Sequence, residues 1–103
     1  MSSTCCSPQV FMIDLTSSLT SAGEANDLHQ AFGEAGRRMV ARGADVRVVV
    51  STFIAAELRW ICLFTADDVE VARRTADLAQ IPERHVRTGT DLTALDTHRS
   101  AIA

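Results

Sequence analysis

Long apolar runs are missing from this sequence of 103 residues. A helix that spans a bilayer needs about 20 consecutive apolar residues, whereas the longest apolar runs, Val46 to Ala56 and Trp60 to Phe64, are much shorter. The first basic residue is Arg37, far beyond the position of a signal peptide's positively charged start. We therefore predict a cytoplasmic protein with no membrane partner.

An excess of basic charge is missing as well. Ten basic residues stand against 13 acidic residues, which gives a formal net charge of -3. Proteins that bind nucleic acids through their phosphates normally carry a broad basic surface. The composition therefore argues against a DNA or RNA partner.

Cysteine is scarce, and sequence motifs for common chemistries are absent. The three cysteines are an odd number, and Cys5 and Cys6 are adjacent, where a disulfide would be strained. We therefore predict reduced thiols. The sequence has no glycine-rich phosphate loop, no paired-cysteine metal spacing, no HExxH motif and no nucleophile elbow. We predict no cofactor, and whether the protein is an enzyme stays open.

The chain is long enough for one domain. A domain of this size buries only roughly 65% of the surface that its unfolded chain exposes, so burial against a partner subunit would add stability. The first residues are small and polar, and the last ones show no firm pattern. We predict a disordered leader at 1–8, a single domain at 9–90 and a polar tail at 91–103.

The spacing of apolar residues predicts four strands and two helices. Ser21 and Glu24 form a capping-box pattern at the start of the first helix, and Gly43 is a natural stop after it. Asp67 or Asp68 is expected to cap the second helix. The predicted strands, rich in β-branched or alternating apolar residues, are Gln9 to Leu15, Ala44 to Phe53, Leu58 to Thr65 and His85 to Thr88.

The resulting order, βαββαβ, is that of the ferredoxin-like α+β fold. This fold places both helices on one face of a four-stranded antiparallel sheet and leaves the other face open. In a monomer the open face should be polar. Alternation instead assigns several apolar residues to it, while a second apolar set faces the helices. The helix-facing set is Phe11, Ile13, Leu15, Val46, Val48, Val50, Trp60, Cys62, Phe64 and Val86, and the open-face set is Val10, Met12, Val49, Ile61 and Leu63.

An apolar patch of this size normally marks an interface or a ligand cavity. We expect a face-to-face homodimer of the dimeric α/β-barrel type. Polar residues interleave with the apolar ones, an arrangement typical of a small-molecule site. The alternative is that these polar groups lie at the rim, solvated or paired across the dimer. They are Asp14, Arg47, Ser51, Arg59, Thr65, His85 and Arg87, and the predicted ligand-binding residues are Met12, Arg47, Val49, Ile61, Leu63, Thr65 and Arg87.

Three classes of function remain open: a binding protein for a small molecule, a cofactor-independent enzyme of the cyclase, isomerase or monooxygenase type, and a structural protein. In the enzyme hypothesis Asp14 is the general base, with a pKa raised by the apolar strand around it. Arg47, Arg59 or His85 would stabilise the negative charge that develops on the substrate. The predicted catalytic residues are thus Asp14, His85 and Arg59. Cys62 and Trp60 are predicted to be buried.

Three segments resemble a known family: Phe11 to Asp14, Trp60 to Ala66, and Ile81 to Val86. They are similar to the small ferredoxin-like family of domains of unknown function that includes an actinobacterial nickel-responsive, nickel-binding protein. The most specific part is the run Cys62-Leu63-Phe64 followed by Ala66, where the family favours aromatic-Cys-Leu-aromatic-Glu-Ala-Pro. This sequence departs from the pattern at three positions, which are Thr65 for Glu, Asp67 for Pro, and Gln80 for Gly before the Ile-Pro pair.

The resemblance implies a dimer and raises nickel binding as a hypothesis. As the segments align, the relative's histidine positions fall on Leu15, Thr16, His29 and Ile81, of which only His29 is a histidine. His29 is therefore the candidate metal ligand. Nickel sites need several converging ligands, and we expect no tight nickel binding.

Overall fold

Four strands and two helices follow one another in a computed structural model that describes residues 9–16, 19–90 and 92. The predicted leader, and the predicted tail apart from Leu92, lie outside the described residues. Short 3-10 turns precede β3 and β4 at Ala55–Glu57 and Glu83–His85. The elements are β1 (Gln9–Leu15), α1 (Ala22–Ala41), β2 (Val46–Ile54), β3 (Arg59–Ala66), α2 (Val69–Leu78) and β4 (Val86–Gly89).

The strands form one antiparallel sheet in the order β2-β3-β1-β4. This order confirms the predicted ferredoxin-like α+β fold. The register places Met12 of β1 opposite Leu63 of β3 and Arg87 of β4. Because β1 and β3 lie in the centre of the sheet, their side chains determine the character of both faces. Within the described part of the chain, no helix is long and apolar enough to cross a bilayer.

The core lies between the sheet and both helices. The ring of Phe64 on β3 stacks on Phe11 of β1 with centroids 5.7 Å apart, and it meets Phe32 of α1 edge-on at 4.7 Å. From α2, the small residues Ala72 and Ala76 are fully buried in the same cluster. Every second residue of β1 and β3 faces the helices, as the sequence pattern predicts. These residues are Phe11, Ile13, Leu15, Trp60, Cys62 and Phe64.

Both helices begin at the predicted caps. The hydroxyl of Ser21 accepts a hydrogen bond from the backbone N–H of Glu24, and the carboxylate of Asp68 accepts one from Val71. Asp68 is thus the cap of α2. The contact of Glu24 differs from that of a capping box, in which its carboxylate would bind the backbone N–H of Ser21. It instead accepts hydrogen bonds from the backbone N–H and the hydroxyl of Thr20. Helix α1 ends before Gly43, which has a φ of 97° that favours glycine.

A β-bulge in β2 changes which of its residues face the helices. The pairing with β3 runs regularly to Val48 and resumes at Val50, which is opposite Leu63. Two residues of β2 then oppose one of β3, and the alternation is inverted beyond the bulge. The predicted faces of Val50 and Ser51 are therefore wrong. Val50 is 47% exposed, and Ser51 lies opposite the buried Cys62.

Candidate functional site

Strand register brings most of the predicted site residues onto the open face. Val10, opposite Thr65, and Asp14, opposite Ile61, lie on the same side of β1 as Met12. Arg47 on β2 is also opposite Thr65. The open face thus carries the predicted residues Met12, Asp14, Arg47, Val49, Arg59, Ile61, Leu63, Thr65 and Arg87.

A groove of about 470 Å³ crosses one end of this face. The apolar residues that line it are Val10, Met12, Val49, Leu63 and Leu92. These side chains come from three strands and from the segment after β4, so the groove depends on the assembled sheet. Its volume falls within the range of about 300–1,000 Å³ that is typical of small-molecule sites.

The polar groups of the open face include one tight ion pair. Arg59 on β3 donates from Nε to Oδ1 of Asp14 at 2.9 Å and from Nη2 to Oδ2 at 2.8 Å. The Asp14 side chain is only 15% exposed and that of Arg59 is 33% exposed. Two parallel hydrogen bonds satisfy both carboxylate oxygens in the geometry that favours Arg. Arg59 also lies 3.3 Å from the carboxylate of Glu57.

This pairing determines the protonation of Asp14. The hydrogen bonds and charge of Arg59 lower its pKa, against a smaller effect of burial that raises it, and Arg87 and His85 add further lowering. The expectation of a raised pKa is therefore wrong. The pKa is lowered because the Arg59 guanidinium stabilises the ionised carboxylate of Asp14 more than the surrounding apolar strand disfavours it.

Two other arginines of the open face are exposed. Arg87 on β4 lines the groove and lies opposite Met12. Arg47 is on the outer strand β2 and does not line the groove. Among the described residues, neither guanidinium forms an ion pair or a hydrogen bond with a side chain. In the described part of the chain, three arginines and, with Glu57, two carboxylates lie on or beside the open face, which gives it a small positive excess on a chain that is negative overall.

His85 lies outside the groove. It ends the 3-10 turn before β4, where it borders a separate pocket of about 340 Å³ together with Leu15, Leu28 and Arg84. Its contribution to the lowered pKa of Asp14 shows that it is within electrostatic range of that carboxylate. The predicted catalytic set is thus only partly brought together, with Arg59 in contact with Asp14 and His85 in a neighbouring element.

His29 lies on the helix side of the sheet. Its Nδ1 is 2.8 Å from the hydroxyl oxygen of Ser51, which also accepts a hydrogen bond from Nε1 of Trp60 at 2.9 Å. These three residues line a small pocket of about 180 Å³. The sequence pattern missed Ser51 here, because a run of three valines does not reveal where a strand bulges.

The described residues do not offer a nickel site. No three histidine, cysteine, aspartate or glutamate side chains among them are grouped so that they could hold a metal ion. The Nδ1 atom of His29 is occupied by Ser51. His29 is thus without the converging ligands that a nickel site requires.

Cys62 and Trp60 belong to the core, as predicted. Both are almost completely buried, and Cys62 is a free thiol. Burial raises the pKa of the Cys62 thiol to about 12, although a hydrogen bond with Ser51 lowers it in part. A thiol of this kind is protonated at neutral pH and is not a nucleophile.

Comparison of the chain with known protein families, curated proteins and solved structures finds no match. The resemblance to the ferredoxin-like family with a nickel-binding member stays a prediction.

Proposed function

We propose that the protein is a cytoplasmic homodimer that binds a small molecule between the open faces of its two subunits. The observation that carries this proposal is the apolar groove on the sheet face that, within the described residues, neither α1 nor α2 covers. Val49 and Val50 are 59% and 47% exposed there, beside Met12 and Leu63. Contiguous apolar surface of this kind is rare on monomeric proteins unless it has a binding role.

A second copy of the chain suits this surface. Two identical sheet faces can pack about a two-fold axis, so that each apolar patch covers the other. The Asp14 carboxylate does not oppose this burial, because Arg59 already satisfies both of its oxygens. A small domain also gains relatively more from burial against a partner than a large one does.

The groove supports a ligand within the dimer. A flat apolar face would be covered completely by its partner, but a concave one retains space. Its lining combines apolar side chains with a few polar ones, which are Thr65, Arg87, Thr88 and Thr90. This is the composition of sites that bind small molecules by apolar burial and orient them through a few polar contacts.

The enzyme hypothesis has less support. A general base must accept a proton from the substrate, but both oxygens of Asp14 accept hydrogen bonds from Arg59. Its lowered pKa also makes it a weak base. We therefore assign a structural role to the ion pair of Asp14 and Arg59 on the open face.

Native mass spectrometry of the protein purified from its own source tests the proposal. We expect a species of twice the chain mass of 11.2 kDa, with an additional mass that is released on denaturation. A dimer with no retained mass, and no binding of added small molecules, would favour the structural hypothesis. A monomer would contradict the proposal.

A further inference from the structure

We infer that the ligand of the open-face groove is an amphipathic carboxylate, with an apolar body against the sheet and its anionic group on Arg87. This inference rests on the proposed function, because it names the ligand class of the same groove.

The charge of the open face favours an anion. Arg59 pairs with Asp14, the acidic residue that strand register places on this face, and also with the more exposed Glu57, so these three groups together carry one negative charge. Arg47 and Arg87 then remain as positive charges on a chain whose formal net charge is -3. Such a local excess attracts anionic molecules and repels cationic ones.

The position of Arg87 makes it the anion-binding residue. It borders the groove, whereas Arg47 lies on the outer strand and does not line it. Within the described ranges, the Arg87 guanidinium makes no ion pair with a carboxylate. A guanidinium of this kind binds a carboxylate through two parallel hydrogen bonds. Thr65 adds a hydroxyl to the same groove.

The apolar part of the lining favours a ligand with an apolar body. Val10, Met12, Val49 and Leu63 form the surface next to Arg87, and none of them offers a side-chain hydrogen bond. A small hydrophilic anion such as phosphate would leave this surface exposed. A molecule with an aromatic or aliphatic body would bury it, which is the main source of affinity in such sites.

The test compares two probes of the same shape, 2-naphthoate and the uncharged 2-naphthalenemethanol, by calorimetric titration of the full chain. We expect 2-naphthoate to bind at least about tenfold more tightly, which corresponds to one charge-assisted hydrogen-bonded contact. Arg87→Gln should remove most of this preference, because it should weaken the binding of 2-naphthoate much more than that of the alcohol. Arg47→Gln is the matched control, and it should keep the preference.

Other outcomes separate the inference from the proposed function. Equal binding of both probes by a dimer would overturn the inference and leave the binding function in place. An unchanged preference in a folded Arg87→Gln variant would also overturn it. If a dimer binds neither probe, both the inference and the ligand part of the proposed function fail.

Discussion

Arg59 holds the carboxylate of Asp14 through two hydrogen bonds of 2.9 and 2.8 Å that connect the two central strands on the open face. Both oxygens of a largely buried carboxylate are thereby satisfied, which removes most of the cost of placing a charge among apolar side chains. The pair makes the open face compatible with burial in a dimer and makes Asp14 a poor base.

The first prediction concerns the pKa of Asp14. In the wild type it should lie below the ordinary pKa of an aspartate, about 3.9, because the Arg59 guanidinium stabilises the carboxylate. Arg59→Met should raise it, since burial and the loss of both hydrogen bonds disfavour the ionised form. Titration of the carboxyl carbon of Asp14 by NMR measures the difference. An equal pKa in both proteins would contradict the account.

The same pKa shift has a consequence for stability. Because the pKa of Asp14 is lower in the folded than in the unfolded state, its contribution is present above about pH 3.8 and is lost as the pH falls through the folded-state value. Between about pH 5 and pH 2, the free energy of unfolding should therefore fall less for Arg59→Met than for the wild type. Urea denaturation at several pH values measures this slope.

A second prediction concerns Ser51 and Trp60. Trp60 is 1% exposed and donates its indole N–H to the hydroxyl of Ser51. Ser51→Ala leaves that donor without its partner and should lower the free energy of unfolding by about 1–3 kcal/mol. Urea denaturation, followed by Trp60 fluorescence, provides the measurement.

Thr52→Val is the matched control for Ser51→Ala. Thr52 is the next residue of β2, is exposed and faces the open side opposite Ile61. Its substitution keeps a β-branched side chain and should change the free energy of unfolding by less than about 0.5 kcal/mol. A larger effect at Thr52 than at Ser51 would mean that the bulge, and with it the face of each residue, is misplaced.

The bulge also marks the limit of what the sequence could predict for the fold. Alternation assigns Phe11, Ile13 and Phe64 to the core correctly, because a regular strand has a fixed period of two. One extra residue inverts this period. The residues from Val48 to Thr52 are all β-branched or small. The local sequence pattern therefore does not show the inversion that turns Ser51 to the helix side.

A third prediction concerns Gln80, which has a φ of 62° after α2. This left-handed conformation costs a side-chain-bearing residue about 1–2 kcal/mol, and glycine adopts it freely. Gln80→Gly should therefore raise the free energy of unfolding by about 0.5–1 kcal/mol after the added flexibility of the unfolded chain is counted. Gln30→Gly, on the exposed side of α1, should lower it by about 1 kcal/mol. The same sign for both in thermal unfolding would contradict the prediction.

A fourth prediction concerns the thiol of Cys62, whose pKa burial raises to about 12. With Cys5 and Cys6 both replaced by serine, the native protein should react very slowly with a thiol reagent near pH 8, because it has almost no thiolate there. In urea the thiol should react at the rate of a free cysteine. Rapid reaction of the native protein would show that Cys62 is accessible.

The candidate site was predictable in outline but not in its contacts. Strand alternation places Asp14, Arg59 and Arg87 on the open face from the sequence alone. Which basic residue contacts Asp14 depends on strand order and on the reach of each side chain. The sequence pattern alone does not favour Arg59 over Arg47 or His85. The direction of the pKa shift of Asp14 follows from that choice, because the partner's hydrogen bonds outweigh burial.

Two aspartate variants distinguish the dissociation of a dimer in which two open faces meet from a general loss of stability. Val49 on the open face is 59% exposed, and Val40 on α1 is 51% exposed. Val49→Asp should dissociate the dimer, because it would remove apolar surface from the interface and require a carboxylate to be desolvated there. Val40→Asp is the control and should leave the dimer intact.

Sedimentation equilibrium of the wild type and the two variants is the most direct measurement. We predict twice the chain mass of 11.2 kDa for the wild type and Val40→Asp, and a folded species of a single chain mass for Val49→Asp. A wild type that sediments as a monomer at every concentration, or a Val49→Asp variant that remains a dimer, would contradict the account.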